Sequence, residues 1–325
     1  MINRVSMNLN RRKVLTLSAG AAAIAATSGP GLASAEPTGD RRGPSLPGFR
    51  DAFARVNGTT LHYVVGGRGA PLILLPGWPQ TWWEYRKVMP ALASRYRVIA
   101  VDLRGMGDSD KPASGFDKKT MARDIAALAR QLGYDSVNIA GHDIGSMVAY
   151  SFAVNHPDLT RRVALMDVPH PNKDLYTLPL LPRPGEFSLW WFSFNQVGGL
   201  PEQLLAGRRF RILADWLFDH LMVHPEAISD RDRDIFASAY SSPEAIRAGN
   251  GWYQAFNQDI EDQETYGLIT APLLGLSTEP TDGILRSLLP RQGTDVRVEK
   301  VADAGHFLLE EQPEVALRLL TEFFG

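Results

Sequence analysis

From residue 50 onward, short apolar runs recur along the chain, separated by stretches whose apolar residues fall three and four apart. The runs read as strands: Leu61 to Val65, Pro71 to Leu75, Tyr96 to Val101, Val137 to Ala140, Arg162 to Met166, Pro272 to Leu276 and Val296 to Val301. Between them, Tyr85 to Ala93, Met121 to Leu132, Met147 to Val154 and the closing Pro313 to Phe324 carry the helical period. Near-continuous apolar strands alternating with amphipathic helices predict a mostly parallel α/β sheet covered on both faces. In such sheets function gathers at the carboxyl ends of the strands.

The rhythm stops after Asp167 and returns at Pro272. The intervening segment is aromatic-rich, with Tyr176, Phe187, Trp190, Trp191, Phe192, Phe194, Trp216, Phe218, Phe236, Tyr240, Trp252, Tyr253 and Phe256. It predicts helices over Pro201 to Leu213, Trp216 to Val223, Asp230 to Tyr240 and Pro243 to Asn257. The returning strands argue against a separate C-terminal helical domain. The expected organisation is a core of residues 50–168 and 258–325, with a helical cap over 169–257 inserted into it.

The first 35 residues carry a different signal: Asn10-Arg11-Arg12-Lys13, then an alanine-rich stretch, then Ala33-Ser34-Ala35. Paired arginines, a mildly apolar run and a small-residue cleavage pattern predict export by the twin-arginine route to the periplasm or beyond. The apolar stretch is too short for a membrane span. Residues 36–49 read as a Pro/Gly-rich linker. Composition excludes several classes. With no cysteine, disulfides, thiolate metal sites and a cysteine nucleophile are ruled out. The seven histidines show no metal-ligand spacing, and a net charge of −2 without a basic run implies no nucleic-acid partner.

The sharpest chemical signal is Gly141-His142-Asp143-Ile144-Gly145-Ser146, directly after a strand and directly before a helix. Small residues flank a central reactive position, the pattern of a strained strand-to-helix turn that lifts one side chain above the sheet. Here the centre is Asp. A carboxylate with an ordinary pKa near ~3.9 is ionised at neutral pH without help from a base. Attack on an amide or ester would give an anhydride. Attack on a saturated carbon bearing a leaving group gives an ester that activated water can cleave. Epoxide opening and carbon–halogen displacement both fit. An Asp capping a helix is the structural alternative.

At these residues the chain resembles the α/β-hydrolase superfamily, in its branch of epoxide hydrolases and haloalkane or haloacetate dehalogenases. The resemblance runs from about residue 50 to the end, and it implies the roles that follow. Leu75-Pro76-Gly77-Trp78-Pro79 is similar to the family's HGxP turn, with Pro76 in place of the usual His. The oxyanion donors would be the backbone N–H groups of Trp78 and Ile144. Asp102-Leu103-Arg104-Gly105-Met106-Gly107-Asp108-Ser109 resembles an architectural DxRGxGxS loop. The base would be His306, in Ala304-Gly305-His306-Phe307 after the last strand. Family members keep the orienting acid in one of two places. Asp167 stands in the first. In the second, Ser277-Thr278-Glu279-Pro280-Thr281-Asp282 puts Thr281 at the usual acid position, which favours Asp167 over Asp282 or Glu279.

Epoxide opening needs a proton donor facing the nucleophile, and halide displacement needs donors that cradle an anion. Tyr253 matches the family's cap tyrosine. Trp191 stands where related epoxide hydrolases have Tyr or His, and an indole N–H donates a hydrogen bond but is no acid. Trp190 and Tyr240 are expected to line the same pocket. The implied reaction is epoxide hydrolysis through an ester on Asp143. A dehalogenase using the same Asp-His-Asp set is the alternative, although Ile144 stands where haloalkane dehalogenases place Trp and fluoroacetate dehalogenases Arg. A non-catalytic binding protein on a hydrolase fold is the third reading. The expected partner is a small apolar molecule, an epoxide or alkyl halide, with no cofactor and no metal.

Overall fold

The computed structural model describes residues 43–179 and 188–325. The export signal, the first half of the linker and Phe187 lie outside the described residues. The sheet has eight strands: β1 (Phe49–Val56), β2 (Thr59–Gly66), β3 (Ala70–Leu75), β4 (Tyr96–Val101), β5 (Val137–His142), β6 (Thr160–Met166), β7 (Leu273–Ser277) and β8 (Val296–Lys300). Their spatial order is β1-β2-β4-β3-β5-β6-β7-β8. The pairs β1/β2 and β2/β4 are antiparallel and all others parallel. The expected mostly parallel sheet is therefore present. Its middle strands are wholly buried, Leu72 to Leu75 and Val98 to Val101 at essentially zero exposure, because helices cover both faces.

Strand β1 begins at Phe49, the last residue of the expected linker, and no apolar run predicts it. It pairs on one side only, so Arg50, Asp51 and Arg55 interrupt its apolar positions without penalty. The helix expected over Tyr85 to Ala93 is instead a 3-10 turn, Trp82–Lys87, followed by α1 (Met89–Leu92). Pro90 has no N–H to give a continuous helix. Helices α2 (Lys118–Gln131) and α3 (Ile144–Asn155) lie where the period places them.

Between β6 and β7 the described chain is helical: α4 (Trp190–Asn195), α5 (Leu200–Leu205), α6 (Phe210–Leu221), α7 (Asp230–Ala239), α8 (Pro243–Gln254) and α9 (Phe256–Glu264). The expected helix from Pro201 to Leu213 is broken at Gly207, whose φ of 73° leaves the right-handed helical region. Its second half joins the Trp216 segment as α6. Helix α9 crosses residue 257, where the insertion was expected to end. After β7 come α10 (Asp282–Leu288), α11 (Leu308–Glu311) and α12 (Pro313–Phe324). Among the described residues, no helix is long and apolar enough to cross a membrane.

Candidate active site

Four loops leave the carboxyl ends of parallel strands and meet. β3 runs into Gly77 and Trp78, β5 into Asp143, β6 into Asp167, and β8 into the loop that carries His306. Asp143 sits at φ 50°, ψ −120°, a strained conformation for a residue with a Cβ. Its neighbours explain how the chain tolerates it. A Cβ on Gly141 would overlap the backbone of Gly145, and one on Gly145 would overlap the backbone of Leu75 and Pro76. The turn is tight enough that only glycine fits on either side. Gly141→Ala should therefore destabilise the fold by roughly 1–3 kcal/mol, read as a lower urea midpoint; an unchanged midpoint would contradict the close approach.

The elbow presents Asp143 to its partners. Trp78 N–H donates to Asp143 Oδ1 at 2.9 Å. His306 Nε2 lies 3.7 Å from Asp143 Oδ2, and His306 Nδ1 lies 2.5 Å from Asp167 Oδ2. Asp167, buried at 2% exposure, accepts on its other oxygen from Thr278 Oγ1 at 2.7 Å and Thr281 Oγ1 at 2.9 Å. Burial raises this carboxyl, but the charge and hydrogen bond of His306, the Thr278 hydroxyl and the charge of His142 together hold it below the ordinary value. The imidazole is thereby fixed with Nδ1 on an ionised carboxylate and Nε2 facing Asp143.

The alternative acids are elsewhere. Asp282 accepts from Ser277 Oγ and pairs with Arg286, and Glu279 pairs with Lys300 at the surface. The second turn contributes hydroxyls in place of an acid: Thr281, at the position the family resemblance reserves for the carboxylate, donates to Asp167. Asp102 is architectural, accepting from Trp82 N–H and from the His62 ring. Ile144 opens helix α3, so its N–H is among those with no partner inside the helix.

Above the carboxylate lies a cavity of about 550 Å³, lined by Asp143, His306, Trp78, Trp191, Phe192 and Tyr253 among others. Tyr253 is 2% exposed. Burial, then the charge of Asp143, pushes its phenol well above the ordinary value, so it stays protonated; the Trp191 indole hydrogen-bonds the same hydroxyl. Two expected pocket residues are not in that wall. Tyr240 is fully buried and its hydroxyl donates to the Gln80 carbonyl at 2.7 Å. Trp190 packs against Trp191, Phe194 and Trp216 and is 38% exposed, on the outer side of its helix. The period of a helix puts adjacent residues on different faces, so only one of the two tryptophans can look inward.

His142, Asp167 and His306 bring potential ligand atoms within 4.8 Å of one another. These atoms already serve hydrogen bonds: His142 Nε2 with the His306 carbonyl at 2.8 Å, and His306 Nδ1 with Asp167. The set reads as a hydrogen-bonded chain and not as a metal cage.

A strained elbow carrying a carboxylate, facing an acid-oriented imidazole at the ends of parallel strands, is the arrangement of an α/β-hydrolase-fold enzyme. Comparison with known proteins agrees. The family described as alpha/beta hydrolase fold matches residues 70–206. A soluble epoxide hydrolase from Corynebacterium sp. (strain C12) is 36% identical over 284 residues, covering 84% of this chain and 96% of that one. A solved epoxide hydrolase without ligand superposes with a TM-score of 0.72 at 32% identity, covering 85% of this chain and 98% of that chain. A fluoroacetate dehalogenase from Burkholderia sp. is 26% identical over 297 residues, covering 86% of this chain and 94% of the relative. The chain belongs to the α/β-hydrolase family, in the branch that holds epoxide hydrolases and this dehalogenase.

Proposed function

We propose that the protein is an epoxide hydrolase acting on small, largely apolar epoxides through an ester on Asp143. One observation carries this reading: a buried, protonated Tyr253 shares a mostly apolar cavity with the elbow carboxylate. An Asp143 carboxylate oxygen attacks an epoxide carbon, and the C–O bond breaks. Its electron pair stays on the departing oxygen, which takes the Tyr253 proton. The Trp191 N–H donates to the phenol oxygen and so stabilises the phenolate that forms. His306 Nε2 then takes a proton from water, the hydroxide adds to the ester carbonyl, and the N–H groups of Trp78 and Ile144 hold the oxyanion. Collapse expels the second oxygen as an alkoxide that takes the His306 proton and leaves as the diol. The carboxyl proton left on Asp143 passes through solvent to the Tyr253 phenolate, which restores both residues, and Asp167 stabilises the transient imidazolium. In this reading the helices α4 to α9 act as the cap that closes the cavity.

Halide displacement is the second reading, and Trp191 favours it, because an indole N–H and a phenol O–H side by side can hold an anion. Against it, Ile144 gives the site no cation with which to clamp a haloacid. A parallel assay separates the two: diol from a styrene-oxide-type epoxide against halide from haloalkanes and haloacetates. Halide without diol would overturn the epoxide reading. Within it, Tyr253→Phe should slow formation of the ester by about 10²-fold and leave ester hydrolysis within a few-fold, measured by single-turnover kinetics; an unchanged first step would move the proton donor elsewhere.

The paired arginines Arg11 and Arg12 support export by the twin-arginine route. Fractionation of cells expressing the whole chain tests this, with Arg11→Lys and Arg12→Lys together expected to hold the protein in the cytoplasm.

A further inference from the structure

The elbow holds a second histidine that the mechanism above does not use. His142 is 1% exposed, and its ring centre lies 4.8 Å from that of His306. Its Nε2 is 2.8 Å from the His306 backbone carbonyl, so Nε2 carries a hydrogen and donates it. Its Nδ1 is 3.4 Å from Glu84 Oε2, and the same carboxylate oxygen accepts from Gly77 N–H at 3.0 Å. A bare Nδ1 and an ionised carboxylate would set lone pair against lone pair, so the pair must hold a proton between them.

We propose that Glu84 keeps His142 as a buried imidazolium, and that this cation, resting on the catalytic loop, holds His306 in the neutral form that a base requires. The inference rests on the ester mechanism proposed above. Its logic is a balance of charges around one ring. Asp143 and Asp167 flank His306, and two carboxylates alone would favour its protonated, inactive form. A cation in ring contact opposes them. The groups facing His142 are Glu84 from the turn after β3, Asp143 from the elbow, Asp167 from the end of β6 and His306 from the last loop. Burial disfavours charge on His142, yet these carboxylates outweigh it and bring the imidazole up to about 9. Burial, with the charge of Glu310, pushes the Glu84 carboxyl up, while the charge and hydrogen bond of His142 and the Gly77 N–H pull it back toward the ionised form. The Glu310 charge is in turn held by Arg86 and Lys87. His142 thus joins three catalytic loops: it touches the base, and Glu84 ties it to the Gly77 turn.

Glu84→Gln removes the charge. The amide has either an oxygen or a nitrogen at the Oε2 position, so it keeps one of the two contacts, accepting from Gly77 N–H or donating to Nδ1 of a neutral His142, which still donates to the His306 carbonyl. Without the cation, His306 protonates more readily and needs a higher pH to act. The acid limb of ester hydrolysis, followed by single-turnover decay with a styrene-oxide-type epoxide, should move up by about one pH unit. Above that limb the rate should return to within about threefold of wild type, and His142→Gln should shift the limb in the same direction. A rate depressed equally at every pH, or a limb that does not move, would overturn the proposal and leave His142 a packing residue. Nitrogen-15 histidine NMR on the unliganded wild-type protein and on Glu84→Gln reads the two rings without any turnover. Wild-type His142 should remain cationic through pH 8, and the His306 titration should move up in the variant. A neutral His142 at pH 7 would refute the pair directly. A cationic His142 in a protein that forms no ester would refute the ester mechanism alone.

Discussion

Asp143→Asn should lower epoxide turnover by on the order of 10⁴-fold or more while leaving the protein folded. The size of the loss follows from what the amide lacks. It has the shape of the carboxylate but no charge to form a bond with a saturated carbon, and Asp167, another carboxylate of the cavity wall, is held by His306, Thr278 and Thr281. The preserved fold follows from what the amide keeps. The Asn oxygen can still accept the Trp78 N–H that Asp143 Oδ1 accepts at 2.9 Å. Asn is also among the few residues that tolerate positive φ, and position 143 sits at φ 50°. A thermal midpoint within a few degrees of wild type, together with loss of diol, is the expected pair of results. Full activity in the variant would remove the nucleophile and with it the two-step mechanism.

The parts of this site that sequence makes legible are those whose local pattern has a physical cause. Glycines at 141 and 145 are required by backbone contacts within one turn, so the elbow can be read from six consecutive residues. The strand end before Asp167 can be read because β6 is a short parallel strand with a buried, apolar end. Strand β8 is half-exposed and carries charges, so His306 is legible from its place after Gly305 in the family's order. What escapes is set by distant contacts. Thr278 and Thr281 hold Asp167 across more than a hundred residues, and the sequence marks Thr281 only as an acid that is missing. Glu84 stands just before the stretch that carries the helical period, Tyr85 to Ala93, and nothing local says that it is fully buried against His142. Tyr240 and Trp190 fail for a related reason. Aromatic residues in a helical insertion are interchangeable by composition, and only packing decides that Tyr240 satisfies the Gln80 carbonyl while Trp191 and Tyr253 face the cavity. The weak edge strand β1 escapes because it needs little apolar content to pair on one side.

His306→Gln should stop the reaction halfway, and the halt is more informative than a loss of activity. Opening the epoxide needs Asp143 and Tyr253, and neither depends on the base. Hydrolysis of the resulting ester needs a group that can take a proton from water, and an amide at 306 cannot. The loop itself should keep its place, because the bonds that anchor it are made by the backbone: His306 N–H to the Leu221 carbonyl at 2.8 Å, and the His306 carbonyl to His142 Nε2 at 2.8 Å. One equivalent of epoxide should therefore disappear without diol. The peptide carrying Asp143 should gain the full mass of the substrate, since ring opening expels nothing. An alkyl halide passing through the same site would add the substrate mass less the hydrogen halide, so the adduct also separates the two chemistries. In Asp143→Asn, His306→Gln together the adduct should vanish. Diol formation by His306→Gln at the wild-type rate, with no ester on Asp143, would mean that water attacks the epoxide directly and that the carboxylate never forms a bond to carbon.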